Sequence, residues 1–364
     1  MPSPAATPTP AGSPIPTDAD SCRIATKIRI TRHGLGTACD SHVGAAGASV
    51  RGMSDPLAAT VVDAINEISG AHPGHRAAHA KGTLCAGTFE ALPAASALTR
   101  AEHMQGGSCR ATVRFSNGGG DPNIPDYANE GRGMAVKIYL ANGERTDMVA
   151  LSLPMFFARN PEDFLEFTRA RKPDPATGEP NLERVGAWLG EHPEAVPAIQ
   201  AAVTAAPPAS YATTLYNGIH SFRYVNSAGE GRFARFRWEP DAGVESLSPE
   251  DARARGANYL QDEILARLAD GPAAFTLVLV LAEPDDPVDD PTVAFPEERE
   301  TVAVGRLELT GPETERERDG DVLVFDPMRL VDGIEPSGDE ILRFRPHAYS
   351  ESVARRTGLP AATA

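Results

Sequence analysis

Phe325-Asp326-Pro327, then Leu330-Val331-Asp332-Gly333-Ile334-Glu335-Pro336-Ser337, then Arg345-Pro346-His347-Ala348-Tyr349 follow one another near the C-terminal end of the chain. Tyr349 lies four residues past Arg345 and seven before Arg356. On a helix these three share one face. Pro346 makes a good first helical residue, which predicts a short helix over 346–356 with Arg345 at its N-terminal edge. A phenol is a poor metal ligand until it ionises. A guanidinium beside it and a helix N-terminus both favour the ionised form, a hard donor suited to Fe(III). On spacing alone, an amphipathic surface helix with a half-buried tyrosine is the simpler reading, because R-x-x-x-Y is common.

Working outward, four further strings stand out. Arg76-Ala77-Ala78-His79-Ala80-Lys81-Gly82 is followed by Gly87-Thr88-Phe89. Val113-Arg114-Phe115-Ser116 comes next, then Arg132-Gly133-Met134-Ala135-Val136-Lys137. Asp147-Met148-Val149-Ala150-Leu151-Ser152-Leu153-Pro154-Met155-Phe156-Phe157-Ala158-Arg159 is continued by Phe164 and Phe167, and Tyr216-Asn217-Gly218-Ile219-His220-Ser221-Phe222 lies later. Singly they are weak. A lone histidine beside a strand is usually a satisfied polar group, paired phenylalanines are usually core, and arginines usually sit in surface ion pairs.

Between these strings the chain reads as α+β. Short β-branched or alternating runs predict strands over 83–91, 111–115, 134–140, 148–153, 275–281 and 302–309. A hairpin joins 219–226 to 232–238 across Ser-Ala-Gly-Glu-Gly. Helices are expected over 160–172, in one or two pieces over 181–204, and over 249–270. Roughly eight strands of this kind could close into a barrel with helices inserted between them. Gly118-Gly119-Gly120 lacks a following G-K-[ST] and reads as a turn, not a phosphate site.

Thirty-four Lys and Arg against 50 Asp and Glu leave a formal charge of −16. So acidic a surface argues against nucleic acid and anionic membrane as partners. No apolar run approaches the ~20 residues that span a bilayer. Cys22, Cys39, Cys85 and Cys109 form no C-x-x-C pair, so reduced thiols in a cytoplasmic protein are expected; a Cys22–Cys39 bridge is the alternative. Residues 1–20 are rich in Pro, Ala, Ser and Thr and too poor in large apolar side chains to order. Met53-Ser54-Asp55-Pro56 reads as a protein start, with Ser54 or Asp55 capping a helix that Gly70 ends. Residues 1–52 are thus expected to be a dispensable extension, 53–358 the folded domain, and 359–364 a tail.

Taken in order, the strings resemble the haem catalases. F-D-P, L-V-x-G-I-E-P-S and R-x-x-x-Y match the segment beneath the haem, and R-x-x-H-A-K-G and v-R-F-S match the face above it. D-L-V-G-N-N-T-P-v-F-F-x-R-D matches the wall between. The resemblance runs from about His72 to Gly358. It implies an α+β fold built on an antiparallel barrel of about eight strands, with haem b buried against it. It implies Tyr349 as iron ligand, the arrangement known in catalases, tuned by Arg345. It implies His79 as acid–base residue, oriented by Ser116. Arg76, Arg114 and Arg356 would bind propionates, and Phe157 and Phe164 would pack on the porphyrin. Lys81, Gly82 and His220 are expected to be structural. The chain departs from the large catalases at Ser152, where they carry an asparagine that donates to peroxide. Serine is shorter and would reach through a water.

The implied activity is consumption of hydrogen peroxide or an organic hydroperoxide, by dismutation or with a small organic electron donor. Ser152, and a chain that ends soon after the Tyr349 helix, favour the small catalase-related peroxidases. An allene-oxide-synthase-like rearrangement of lipid hydroperoxides shares the fold and ligand and is the enzymatic alternative. A haem carrier or sensor is the non-enzymatic one, against which His79 and Ser116 argue. The oligomeric state stays open between monomer and homo-oligomer, and no motif supports a bound nicotinamide nucleotide.

Overall fold

The chain divides into two compact units, Met1–Ser49 and Val50–Ala364. The computed structural model describes residues 55–313 and 322–358, all within the second unit. The expected extension over 1–52, with Cys22 and Cys39, and the tail over 359–364 lie outside the described residues.

Among the described residues, ten strands carry the architecture: β1 (Gly82–Ala91), β2 (Ser108–Asn117), β3 (Arg132–Tyr139), β4 (Arg145–Leu151), β5 (Tyr216–Asn217), β6 (Phe222–Val225), β7 (Gly231–Pro240), β8 (Ala273–Leu281), β9 (Thr301–Glu313) and β10 (Ile334–Pro336). Every pairing is antiparallel. From β1 the ladder runs through β2, β3, β4, β5, β7, β8 and β9 and returns to β1. These eight strands close a barrel and leave no long free edge. β6 pairs with β7 beyond β5, and β10 adds to β6. The expected eight-stranded barrel is therefore present.

Its interior is full. Ala111, Val113 and Phe115 of β2 point inward with Cys85, Phe89, Met134, Val136, Phe275 and Leu277, and Phe115 stacks on Tyr211 at 5.1 Å. Arg114 and Ser116 alternate onto the outer face. That face is covered too: Leu84 packs with Leu323 and Phe325, backed by Ala135 and Val149. Burial on both sides explains why these strands read as apolar runs and not as clean alternation. A filled barrel leaves its outer wall, under the helices, as the place for a site. Cys85 is buried, Cys109 half-buried, and both are free thiols.

Helix α1 (Pro56–Ser69) starts as expected, with the Asp55 side chain accepting from the Leu57 N–H and Gly70 at φ 82° after its end. α2 (Ala95–Leu98) is a single turn. α3 (Pro161–Ala170) is capped by Asn160. α4 (Leu182–Glu191) and α5 (Val196–Thr204) are separated by a 3₁₀ turn at Pro193–Ala195. The single helix expected over 249–270 is two, α6 (Pro249–Arg255) and α7 (Tyr259–Asp270), because Gly256 takes φ 97° and breaks the run.

The largest correction concerns α8 (Glu340–Thr357), which begins before the expected start at Pro346. Asp339 is its cap and accepts from the Leu342 N–H at 3.0 Å. Pro346 lies inside the helix, at the cost of one backbone hydrogen bond. Burial of Ile341 and Leu342 anchors the first turn regardless. Tyr349 thus stands mid-helix, and the dipole that acts within the first turn does not reach it. α1, α3 and α8 meet through Val61, Ala64 and Leu165, with Leu57, Ile65, Phe164 and Phe344 around them.

Candidate active site

His79 is the one residue other than glycine, among the described residues, with a positive φ, 55°. L side chains avoid this region at a cost of ~1–3 kcal/mol, and such strain persists only where the surroundings impose it. The His79 N–H donates to the Gly118 carbonyl (3.2 Å) and the Ala80 N–H to the Gly119 carbonyl (3.0 Å). Arg114 Nη1 donates to the His79 carbonyl (2.9 Å). The Gly118-Gly119-Gly120 turn therefore clamps the loop that carries His79. A Cβ on Gly120 would lie 2.2 Å from the Ala77 carbonyl.

The imidazole is fixed as firmly. His79 Nδ1 is 3.0 Å from Ser116 Oγ. In the ladder Ser116 faces Gly82 on one side and Gly133 on the other. A Cβ on Gly133 would sit 2.7 Å from Ser116 Oγ and 2.9 Å from His79 Nδ1, so only glycine leaves room for the pair. Burial, then the cations of Arg114, Arg345 and Arg76, push the His79 pKa down to about 3. The ring is neutral across the ordinary pH range. With Nδ1–H donated to Ser116, Nε2 keeps its lone pair and is a base. Lys81 is spent on structure, reaching the carbonyls of Ile124 (2.9 Å) and Ala257 (2.7 Å) and Asp126 Oδ1 (2.8 Å).

On α8, Arg345 Nε donates to the Tyr349 phenol oxygen at 2.8 Å. Arg345 Nη1 lies 2.8 Å from His220 Nε2, and His220 Nδ1 lies 2.6 Å from Asp339 Oδ2. One tautomer satisfies both contacts: Nδ1–H donates to Asp339 and Nε2 accepts from Arg345. Burial lowers the His220 pKa and Asp339 opposes it, which suits a neutral ring in that role. The expectation that His220 is merely structural is thus incomplete. It and Asp339 form a line to Tyr349 that sequence reading missed. The contacts span 119 and 125 residues along the chain, and the only available signal was position within a motif. Arg345 acts on both sides, since its charge also presses on His79.

The remaining candidates make contacts of their own. Phe157 and Phe164 stack at 5.5 Å, with Phe156 against both at 4.4 and 6.0 Å. Arg76 and Arg356, with His72, His75 and Ser352, line a cavity of about 130 Å³ beside α1 and α8. Arg76 Nη2 donates to the Leu323 carbonyl (2.8 Å) and its guanidinium lies 5.8 Å from the Phe325 ring centre, which ties the Phe325-Asp326-Pro327 segment to the His79 loop. Asp147 fastens that segment to the barrel: it accepts from the Asp326 N–H (2.8 Å) and pairs with Lys137 (2.5 Å) and Arg329. Ser152 is placed by Arg132, whose N–H donates to its Oγ at 2.8 Å. Arg132 neighbours Gly133, which faces Ser116 across the ladder.

Comparison with known proteins shows the family. The Catalase family model matches residues 58–362. A catalase-related peroxidase of Mycolicibacterium paratuberculosis is 44% identical over 301 residues, covering 82% of this chain and 94% of that one. A catalase-related peroxidase of Synechococcus elongatus is 36% identical over 299 residues, 82% of this chain and 88% of the relative. Among solved structures, a fungal catalase superposes with a TM-score of 0.71 at 25% identity, over 79% of this chain. The chain spans 60% of the length of that catalase.

Proposed function

The chain belongs to the catalase family and is a peroxide oxidoreductase, and on that premise we propose that it holds haem b between His79 and Tyr349 and spends peroxide on oxidising a small organic donor. The family generally binds haem, and the residues here suit one. The strongest charges acting on His79 are three arginine cations, in a chain whose net charge is −16. A dianionic cofactor fits such a pocket. Arg76, Arg114 and Arg356 would hold the propionates, Phe157 and Phe164 would pack on the porphyrin, and Tyr349 would bind the iron with Arg345 balancing its charge.

Haem iron, when bound, supplies the redox centre at which the peroxide O–O bond is cleaved. The protein's part is to move one proton. His79 Nε2 takes it from one peroxide oxygen and delivers it to the other, which departs as water. Ser116 keeps Nδ1–H engaged, so that Nε2 stays the base. Arg345 holds the phenol oxygen, and His220 and Asp339 hold Arg345.

One observation carries this reading: Arg345, which donates to the Tyr349 phenol oxygen, also acts by its charge on a strained, neutral His79 fixed by Ser116. Ser152 favours a donor-consuming peroxidase over efficient dismutation. Its oxygen is already bonded to Arg132 N–H, so it offers peroxide one short donor at most. The test is the absorption spectrum of the purified full-length protein, followed by peroxide loss and oxygen release with and without a phenolic donor. The expected result is a haem band and donor-dependent peroxide loss exceeding oxygen release. Absence of a haem band in protein made with ample haem overturns the reading.

A further inference from the structure

An unbroken line of rings leads away from Phe157. Phe157 meets Phe167 at 4.7 Å, Phe167 meets Trp188 at 4.7 Å, and Trp188 stacks on His192 at 4.2 Å with an interplanar angle of 16°. The line begins at a residue of the candidate haem wall, crosses α3 and α4 and ends at the partly exposed His192, which caps α4. Trp188 itself is 7% exposed, and its indole N–H has no partner among the described residues. His192 is the partly exposed last ring, with its Nδ1 3.5 Å from Glu194 and 4.0 Å from Asp163, and its Nε2 3.7 Å from Glu166.

These features fit electron transfer. Tryptophan is far easier to oxidise than phenylalanine, so the phenylalanines would serve as a bridge and Trp188 as the first resting place for a hole. Arg171 lies 5.0 Å from the centre of the Phe167 ring, and a cation there discourages positive charge from stopping on Phe167. Three carboxylates around the His192 end favour it on Trp188; Arg159, 3.8 Å from Glu194, partly offsets them. The other tryptophan, Trp238, is sealed inside the barrel and cannot meet a donor. Tyr211 and Tyr216 are also interior, with phenols that burial makes reluctant to lose a proton.

We propose that Trp188, with the partly exposed His192 stacked on it, is a relay that takes electrons from aromatic amine donors. The carboxylates select neutral or cationic donors over anionic ones. Each donor molecule gives one electron to Trp188. Two such electrons, with two protons from the donors or from solvent water, reduce one hydrogen peroxide to two waters and leave two one-electron-oxidised donors. The proposal rests on the haem reading above.

The experiment uses the haem-loaded full chain, Trp188→Phe and Trp188→Tyr. Each is treated with hydrogen peroxide and a nitroso spin trap in the absence of donor, and trap adducts are located by peptide mass spectrometry. In parallel, oxidation of tetramethyl-p-phenylenediamine and of an anionic sulfonated dye is followed. The expected result is an adduct on residue 188 in the native protein and in Trp188→Tyr, and none there in Trp188→Phe. Diamine oxidation by Trp188→Phe should fall about tenfold or more, with recovery in Trp188→Tyr and unchanged peroxide loss without donor. Trapping only elsewhere, or undiminished diamine oxidation in Trp188→Phe, overturns the relay while leaving the haem reading intact. A native protein without a haem band fails the earlier reading instead.

Discussion

Arg345 spans one turn of α8 to donate to the Tyr349 phenol oxygen at 2.8 Å, and its other arm reaches His220 Nε2 at the same distance. The tyrosine is therefore held by a line that runs through His220 to Asp339. Asp339 has a second task as the cap of α8. Its two oxygens divide the work: Oδ1 accepts from Leu342 N–H, Oδ2 from His220.

That division predicts separable effects. Asp339→Asn keeps an acceptor for the cap but weakens the grip on His220. Asp339→Ala loses both, and loss of the cap alone costs ~1 kcal/mol. The asparagine variant is expected to melt near the native protein yet show an altered haem spectrum and slower turnover. The alanine variant should show both defects. Melting curves and absorption spectra of the two check this; identical spectra in all three proteins would detach Asp339 from Tyr349.

Tyr349→Phe removes the phenol oxygen that Arg345 holds, and is expected to lose most of its haem while keeping the barrel. His79→Ala is expected to keep haem and lose peroxide turnover by ~10²-fold or more, the usual worth of a positioned acid–base group. Haem content by visible absorption, and peroxide loss by ultraviolet absorbance with and without a donor, separate the two. Full turnover in either variant refutes the assigned role.

Gly133→Ala tests the close approach directly, because the added methyl falls within 2.9 Å of His79 Nδ1 and 2.7 Å of Ser116 Oγ. The pair must part. A misplacement of about 1 Å costs on the order of 10²-fold in rate, whereas the strand should survive. Near-native circular dichroism with strongly reduced peroxide turnover is the expected outcome. Native turnover would mean that the pair is not needed.

Three histidines whose pKa burial lowers, His79, His103 and His220, set the acid limit. His103 packs beside Phe89 at 5.9 Å, its ring nitrogens lack partners among the described residues, and burial lowers its pKa from 6.5 to about 4. Between these values the unfolded chain binds a proton that the folded chain refuses. Stability is thus full above pH 6.5 and falls as pH drops toward 4, by ~1.4 kcal/mol per pH unit for each such group. His103→Leu should flatten this slope by about that amount, measured by denaturant unfolding of the loaded protein at two pH values. An unchanged slope would exclude His103. His79, held at about 3, should keep kcat/KM free of a titration near 6.5.

The membrane question has a limited structural counterpart: no helix among the described residues is long and apolar enough to cross a bilayer.

Much of this molecule was legible in its residues. The strand runs, the Asp55-Pro56 start of α1 and the α3 cap are local, set by side-chain period and by short-range hydrogen bonds, and they appear nearly where expected. The family order of motifs pointed to His79, Ser116 and Tyr349, and the structure pairs His79 with Ser116 and Tyr349 with Arg345. What local reading could not supply was anything that depends on distant residues meeting. α8 starts earlier than Pro346 suggests because Asp339 finds a cap position and Leu342 a core. Gly256 breaks a helix that periodicity joined. His220 gained a purpose only when the barrel brought it to Arg345, and the Gly118–Gly120 turn only when it closed on His79. The sequence alone determined which residue types and short elements exist. The closed barrel decided which side chains face each other, because contacts more than a hundred residues apart leave no local period to read.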